Sequence, residues 1–389
     1  MPSLADVVRE HAPAYVARYG GALPKRHARA LYAIDKCRTA ALGAELGVCG
    51  KCDSSHVLYH SCRNRACPRC GADAAARWTL RQQQALLPVP YFHVVFTLPA
   101  ELRRLVREHQ RVLLDVLFRA AFESLQILAA DSKHLGAQIG ALAVLHTWTR
   151  TLEWHPHIHM LVPGGGLGPD GKTFVSAHRK GRADFLVPVA ALAKHFRGRF
   201  LHMARSALPD IRFPHIPWDK KWVVYAKASV QAKPDRLIEY LGRYVHRTAL
   251  TEKRLADCDA QSVTFAYRDS TSGKRKVMTL SGSEFLRRFL QHVPLPGFHR
   301  VRAYGLLHPR HRTTWKRLQL LLAPKAAPPS PPESASPQTE ASAVAPSPGL
   351  RTRVLCPACR AGTLRIMARL SPAQLLAAEP AMARSRAPP

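Results

Sequence analysis

Histidines alternate in Trp154-His155-Pro156-His157-Ile158-His159-Met160, and two tyrosines stand four residues apart in Tyr240-Leu241-Gly242-Arg243-Tyr244-Val245-His246-Arg247. Alternate residues of a strand share a face, so His157 and His159 can grip one metal ion. Residues i and i+4 of a helix also share a face, so Tyr240 and Tyr244 can offer two phenols to one site. Arg243 and Arg247 flank them on a similar face, and guanidiniums beside a phenol are expected where a phosphodiester must be held. Each pattern alone has a plainer reading, as hydrogen-bonded strand histidines and packed aromatic rings. Together they are the equipment for cutting a nucleic-acid strand and keeping hold of its end.

Cysteines supply a second kind of chemistry. Cys49-x2-Cys52 and Cys67-x2-Cys70 are separated by fourteen residues. Two such pairs can close a tetrahedral thiolate site that suits zinc, and the metal would stabilise a segment with almost no core of its own. Cys37, His56, His60 and Cys62 could replace a ligand or build a second site. Arg63, Arg65, Arg69 and Arg77 stud this module, which points to phosphate contact. The alternative is a purely structural zinc site packed on its neighbour. A further pair, Cys356/Cys359, is half a zinc site with no Cys or His after it. It needs ligands from elsewhere in the chain or from a second subunit, or it is vestigial. Nine cysteines so arranged suggest metal in a reducing compartment, not a disulfide framework.

The elements that must position these residues can be read from spacing. Val7, Val8, Tyr15 and Val16 recur at helical intervals, and a cysteine-dense, loop-rich stretch follows from Cys37 to Cys70. Tyr91 to Leu98 is aromatic and β-branched, which predicts a buried strand ended by Pro99. Leu102, Leu105, Val106, Leu113, Val116, Leu117 and Ala120 predict a helix within Glu101 to Ala130. Leu142 to Thr149 and His157 to Pro163 read as two strands joined by a short turn. Gly164-Gly165-Gly166 then ends the second strand, where glycine permits φ > 0 and close backbone approach to a ligand. A helix from Pro188 to Ala207 and a strand from Lys221 to Lys227 follow. Pro234 suits the first turn of a helix whose apolar stripe is Leu237, Leu241 and Val245, and which carries both tyrosines. Ser262 to Arg268 and Arg275 to Leu280 form a hairpin around Ser272-Gly273, and Ser281-x-x-Glu284 resembles a capping box. Eight prolines between Ala323 and Pro348 predict a disordered linker.

The chain of 389 residues carries 58 Lys+Arg against 26 Asp+Glu, a net charge of +32. An excess of that size, spread along the whole chain, points to a polyanion partner, and nucleic acid is far commoner than membrane. No apolar run is long enough to span a bilayer, and the start, MPSLADVVREH, lacks the pattern of a secretory signal. The expectation is a cytoplasmic protein that acts on the nucleoid, with no membrane partner and an oligomeric state that the sequence does not give.

Taken in order, these motifs resemble a zinc-finger-bearing transposase of the rolling-circle insertion-sequence family, whose nuclease is of the HUH type (histidine, bulky hydrophobic, histidine). The resemblance rests on Ser61-Cys62-Arg63-Asn64-Arg65-Ala66-Cys67-Pro68-Arg69-Cys70, Phe92 to Pro99, His146-Thr147-Trp148, His155 to His159 with Pro163 to Gly166, and the Tyr240/Tyr244 helix. It implies an α+β fold, with a central antiparallel sheet flanked by helices. The expected layout is a zinc-binding, DNA-contacting module over 1–85 and a nuclease domain over 86–322. A disordered linker over 323–350 and a short basic tail over 351–389 complete it. It also implies a divalent ion, Mg²⁺ or Mn²⁺, on the histidines beside structural Zn²⁺. The substrate would be single-stranded DNA at transposon ends and target, cut through a covalent 5′-phosphotyrosine. A third catalytic ligand is expected: His146, on the neighbouring strand, or Glu153. A replication initiator or relaxase shares this chemistry but would bring a P-loop, and no Gly-x4-Gly-Lys-[Ser/Thr] occurs. A zinc-finger DNA-binding regulator without catalysis is the alternative from another class.

Overall fold

The structure, a computed structural model, describes residues 2–82, 86–177, 186–228, 248–269, 271–323 and 354–377. The chain divides into two compact units, Met1–Asp35 with Arg63–Ala323, and Lys36–Cys62 with Pro324–Pro389. This division differs from the expected boundaries at residues 85 and 351. Apart from Ala323, the expected linker over 323–350 lies outside the described residues.

The larger unit is α+β. Helix α1 (Leu4–Tyr19) opens on a capping box in which Ser3 and Asp6 each satisfy the other's backbone N–H. Helices α2 (Lys25–Asp35) and α3 (Pro68–Gln82) follow. The periodicity from Glu101 to Ala130 forms two helices, α4 (Arg103–Glu108) and α5 (Gln110–Ala130), parted at His109 with φ −112 and ψ 44. The apolar spacing is the same on both sides of this break, so the pattern alone could not locate it.

The central sheet contains β3 (Tyr91–Thr97), β4 (Gly140–Trp148), β5 (Trp154–Pro163), β8 (Val224–Ala228) and β12 (Val301–Gly305). Their order is β12-β4-β5-β3-β8, antiparallel throughout. Strand alternation sends Phe92, Val94 and Phe96, Ala141, Ala143 and Leu145, and Ile158, Met160 and Val162 to one face. There they meet Leu113, Leu117 and Leu125 of α5 and Phe196 and Phe200 of α6 (Val189–Ala207) in the main core. A second apolar cluster, including Tyr91, Leu161, Leu306 and Leu318, covers one end of the opposite face.

The glycine run corrects an expectation. None of Gly164, Gly165 and Gly166 has positive φ. They instead pack against backbone: a Cβ on Gly164 would stand 2.7 Å from the Pro90 carbonyl oxygen, and one on Gly166 would collide with the Gln138 carbonyl. The close approach is to the protein's own chain, where β6 (Gly165–Leu167) pairs with β7 (Phe174–Ser176) and Leu167 bridges to Gln138.

Strands β9 (Leu255–Cys258), β10 (Ser262–Arg268) and β11 (Arg275–Ser281) form a small antiparallel sheet, the last two as the expected hairpin. Ser281 then caps α7 (Gly282–Leu290) by accepting from Glu284 N–H, and α1 packs on that helix. Helix α8 (Arg312–Leu322) completes this unit. No helix among the described residues is long and apolar enough to cross a membrane.

The smaller unit holds an antiparallel sheet of three strands, with β1 (Ala44–Cys49) between β2 (Ser55–Tyr59) and β13 (Leu364–Leu370). Residues near the chain end therefore join a hairpin that follows Asp35.

Candidate metal and nucleic-acid site

The alternation that buries Ile158 and Met160 turns His157 and His159 to the other face of β5. His146 of β4 is directly opposite His157, and directly opposed residues of an antiparallel pair share a face. The three histidines offer ligand atoms that all lie within 4.8 Å of one another. Ring centroids are 4.5 Å apart for His146 and His159, and 4.9 Å for His157 and His159. Trp148 stacks on His146 at 4.5 Å and so fixes its ring plane.

A bulge shapes this corner. Between the pairs His146–His157 and Trp148–Trp154, β5 carries one residue more than β4. Pro156 sits in this bulge, and the β3 ladder reaches only the pair Thr97–His157. A proline in a central strand normally breaks a ladder bond, but here none is required of it. Strand β5 thereby extends back to Trp154, three residues earlier than the spacing suggested.

Hydrogen bonds orient the rings. His157 Nδ1–H donates to the His155 carbonyl at 2.7 Å, so Nε2 carries the lone pair of its neutral form. His159 Nδ1 lies 2.8 Å from His93 Nε2, with the two rings almost coplanar at 5°. Burial pushes His93 down to about 4, which keeps it neutral beside its partner. Burial, with His157 and Arg103 adding to it, pushes His155 down to about 4 as well. Sequence reasoning passed over His93. Its signal was parity, because Tyr91, His93, Val95 and Thr97 alternate with the core-facing residues of β3.

The same parity places Tyr225 on the histidine face. Val144, His159, Val95 and Tyr225 form one row across four strands, and Tyr225 is 53% exposed. Glu153, the other candidate ligand, lies outside the histidine group, with its carboxylate 4.0 Å from Arg288. Tyr240, Arg243, Tyr244 and Arg247 lie outside the described residues.

The cysteines group differently from the expected single site. Within the smaller unit, Cys49 and Cys52 stand with Cys356 and Cys359 rather than with Cys67 and Cys70. The correction has a topological cause: β1, which ends at Cys49, pairs with β13. Of the four arginines, Arg65 donates to the carbonyls of Phe298 and Leu295 at 2.6 and 2.9 Å. Arg69 pairs with Glu252 at 2.9 Å. These two guanidiniums hold the fold together here, Arg63 is exposed, and Arg77 lies on α3.

Known proteins resemble the chain along much of its length. Residues 140–314 match a family profile described as "Putative transposase", and residues 7–98 match one described as "Transposase zinc-binding domain". The chain is 41% identical over 330 residues to "Putative transposase y4qJ" of Sinorhizobium fredii, covering 80% of this chain and 81% of that protein. It is 33% identical over 295 residues to "Transposase for insertion sequence element IS801" of Pseudomonas savastanoi pv. phaseolicola, covering 70% and 68%. No solved structure matches.

Proposed function

Because the chain belongs to the IS91-type family of zinc-binding transposases, we propose that it nicks single-stranded DNA and transfers strands through a 5′-phosphotyrosine. The observation that supports this reading most is the convergence of His146, His157 and His159 on one face of the central sheet. A divalent cation bound there, Mg²⁺ or Mn²⁺, would polarise the scissile phosphate and stabilise charge on the leaving oxygen. Three imidazoles suit Mn²⁺, and cellular abundance favours Mg²⁺.

The chain's own residues do the rest. A phenol with a reference pKa of about 10 is a poor nucleophile at neutral pH, so Tyr240 or Tyr244 must lose its proton as it attacks. The bond formed joins the tyrosine oxygen to phosphorus. The bond broken is that to the 3′ oxygen, which leaves as a 3′-hydroxyl after taking up a proton. The ester conserves the energy of the broken bond, so attack by another 3′-hydroxyl rejoins the strands without ATP. A second tyrosine lets a second end be held meanwhile. Arg243 and Arg247 would hold the phosphate's oxygens, with Arg63 gripping the backbone further away.

Incubation with labelled single-stranded DNA and metal should give an adduct that survives denaturation. Tyr240→Phe and Tyr244→Phe should each retain some adduct if the phenols are interchangeable, and the double variant should form none. An adduct with the double variant would move the nucleophile elsewhere, and Tyr225, in the same row as His159, is then the residue to test.

A further inference from the structure

We propose that Cys49, Cys52, Cys356 and Cys359 form one zinc site assembled from opposite ends of the chain. All four belong to the smaller compact unit. Their sulfurs lie within 4.8 Å of one another, with Cys49–Cys359 and Cys52–Cys356 both 3.7 Å apart. Zinc bonds sulfur at about 2.3 Å, so a tetrahedral thiolate site has an S···S edge of about 3.8 Å. A disulfide requires about 2.05 Å. Four thiolates with no carboxylate among them select zinc over hard cations such as Mg²⁺.

The backbone makes the same turn twice. Asp53 N–H donates to the Cys49 carbonyl at 3.2 Å, and Arg360 N–H donates to the Cys356 carbonyl at 2.9 Å. The residue after each second cysteine is left-handed, Asp53 at φ 51 and Arg360 at φ 53. Sulfur accepts from backbone in both halves, Cys49 from Lys51 N–H and Cys359 from Gly362 N–H, each at 3.3 Å. Such donors stabilise thiolate charge. His56 Nε2, 3.4 Å from Cys356 Sγ, is placed to do the same.

Strand pairing brings the halves together. The register runs from Ala44–Leu370 to Cys49–Leu364, so the end of β1 meets the start of β13. Gly50 N–H donates to Thr363 O at 3.1 Å across this junction. A Cβ on Gly362 would collide with Cys49 Sγ, so only glycine lets the second turn close on the first. The matched zinc-binding profile ends at residue 98 and contains one of the two pairs. The other pair comes from the far end, so deleting the tail would strip metal from the hairpin near the chain start.

The test needs no DNA and does not depend on the nuclease reading. Zinc per chain is measured on full-length reduced protein. Cys49→Ser and Cys356→Ser should each lose one zinc relative to the parent, and the double variant should lose no more than either. Full zinc content in Cys356→Ser, or loss of two by the double variant, would overturn the proposal. The unaltered protein gives a reading free of folding defects, by alkylation followed by mass spectrometry. All four cysteines should be protected together and become reactive together once a chelator is added. Alkylation of Cys356 and Cys359 while Cys49 and Cys52 stay protected would sink the shared site.

Discussion

His93 acts on the candidate site through His159, so it is a positioning residue. A neutral ring 2.8 Å from His159 Nδ1 holds that ligand's ring plane and partners the nitrogen turned towards it. Partners of this kind are worth about 10- to 100-fold in metal affinity. His93→Ala should therefore raise the Mn²⁺ concentration needed for half-maximal nicking by about that factor, with activity recovering at saturating metal. An unchanged metal titration would remove His93 from the site. His159→Ala should abolish nicking at any metal concentration while leaving DNA binding nearly intact, because phosphate contacts by Lys and Arg dominate affinity. A gel-shift beside the nicking assay separates the two effects. His292 invites a pH test. It is buried, its Nε2–H donates to the Leu152 carbonyl at 3.0 Å, and its Nδ1 meets the Thr147 hydroxyl at 3.1 Å. Burial pushes it down to about 4 from 6.5. The unfolded chain therefore takes up the proton first. The stability that His292 contributes is complete above about pH 6.5 and is lost as pH falls towards 4, on the order of 3 kcal/mol in all. Urea unfolding of His292→Gln from pH 7 to 4 should show a shallower decline than the parent.

At the scale of elements, Gly166 offers the clearest test of packing. Its missing Cβ leaves room for the Gln138 carbonyl, which is backbone and cannot swing aside. Gly166→Ala should destabilise the larger unit by about 1–3 kcal/mol or more, read as a lower urea midpoint with an unchanged slope. Were the glycines serving a ligand, the same change would spare stability and weaken binding. The strands around the site were legible because half-buried strands alternate, and Phe92, Val94 and Phe96 declare one face of β3 while His93 falls on the other. Pro156 hid the start of β5, since a bulge that tolerates proline leaves no mark in periodicity. Cysteine spacing revealed metal chemistry but not the choice of partners. Pairing is decided by which strands meet, and β13 lies some 300 residues from β1 in the sequence. Its sequence, Leu-Arg-Ile-Met-Ala-Arg-Leu, gave little warning, because most of that strand is exposed and shows no buried face.

For the whole molecule the governing quantity is charge. A net charge of +32 on 389 residues, with Arg and Lys in every segment, suits a surface that grips phosphates at many points. Several guanidiniums are nevertheless engaged by partners within the chain. Arg65 holds two carbonyls, Arg69 pairs with Glu252, and Arg302 pairs with Asp115 at 2.5 Å while lying over the Phe118 ring. The number of phosphates held must therefore be smaller than the charge suggests. For single-stranded DNA each phosphate neutralised adds about −0.7 to the slope of log affinity against log salt. A strand held at about six phosphates gives a slope near −4, so a fourfold rise in salt should weaken binding by roughly 250-fold. Arg63→Ala should lower the magnitude of that slope by about 0.7 if it touches one phosphate, whereas His159→Ala should leave it unchanged. Binding measured by anisotropy across a salt series gives these slopes directly. A slope flatter than about −1 would mean that the charge serves something other than gripping a DNA backbone. The steep slope should belong to the binding step alone: a covalent adduct, once formed, should survive salt that strips bound DNA from the double tyrosine variant.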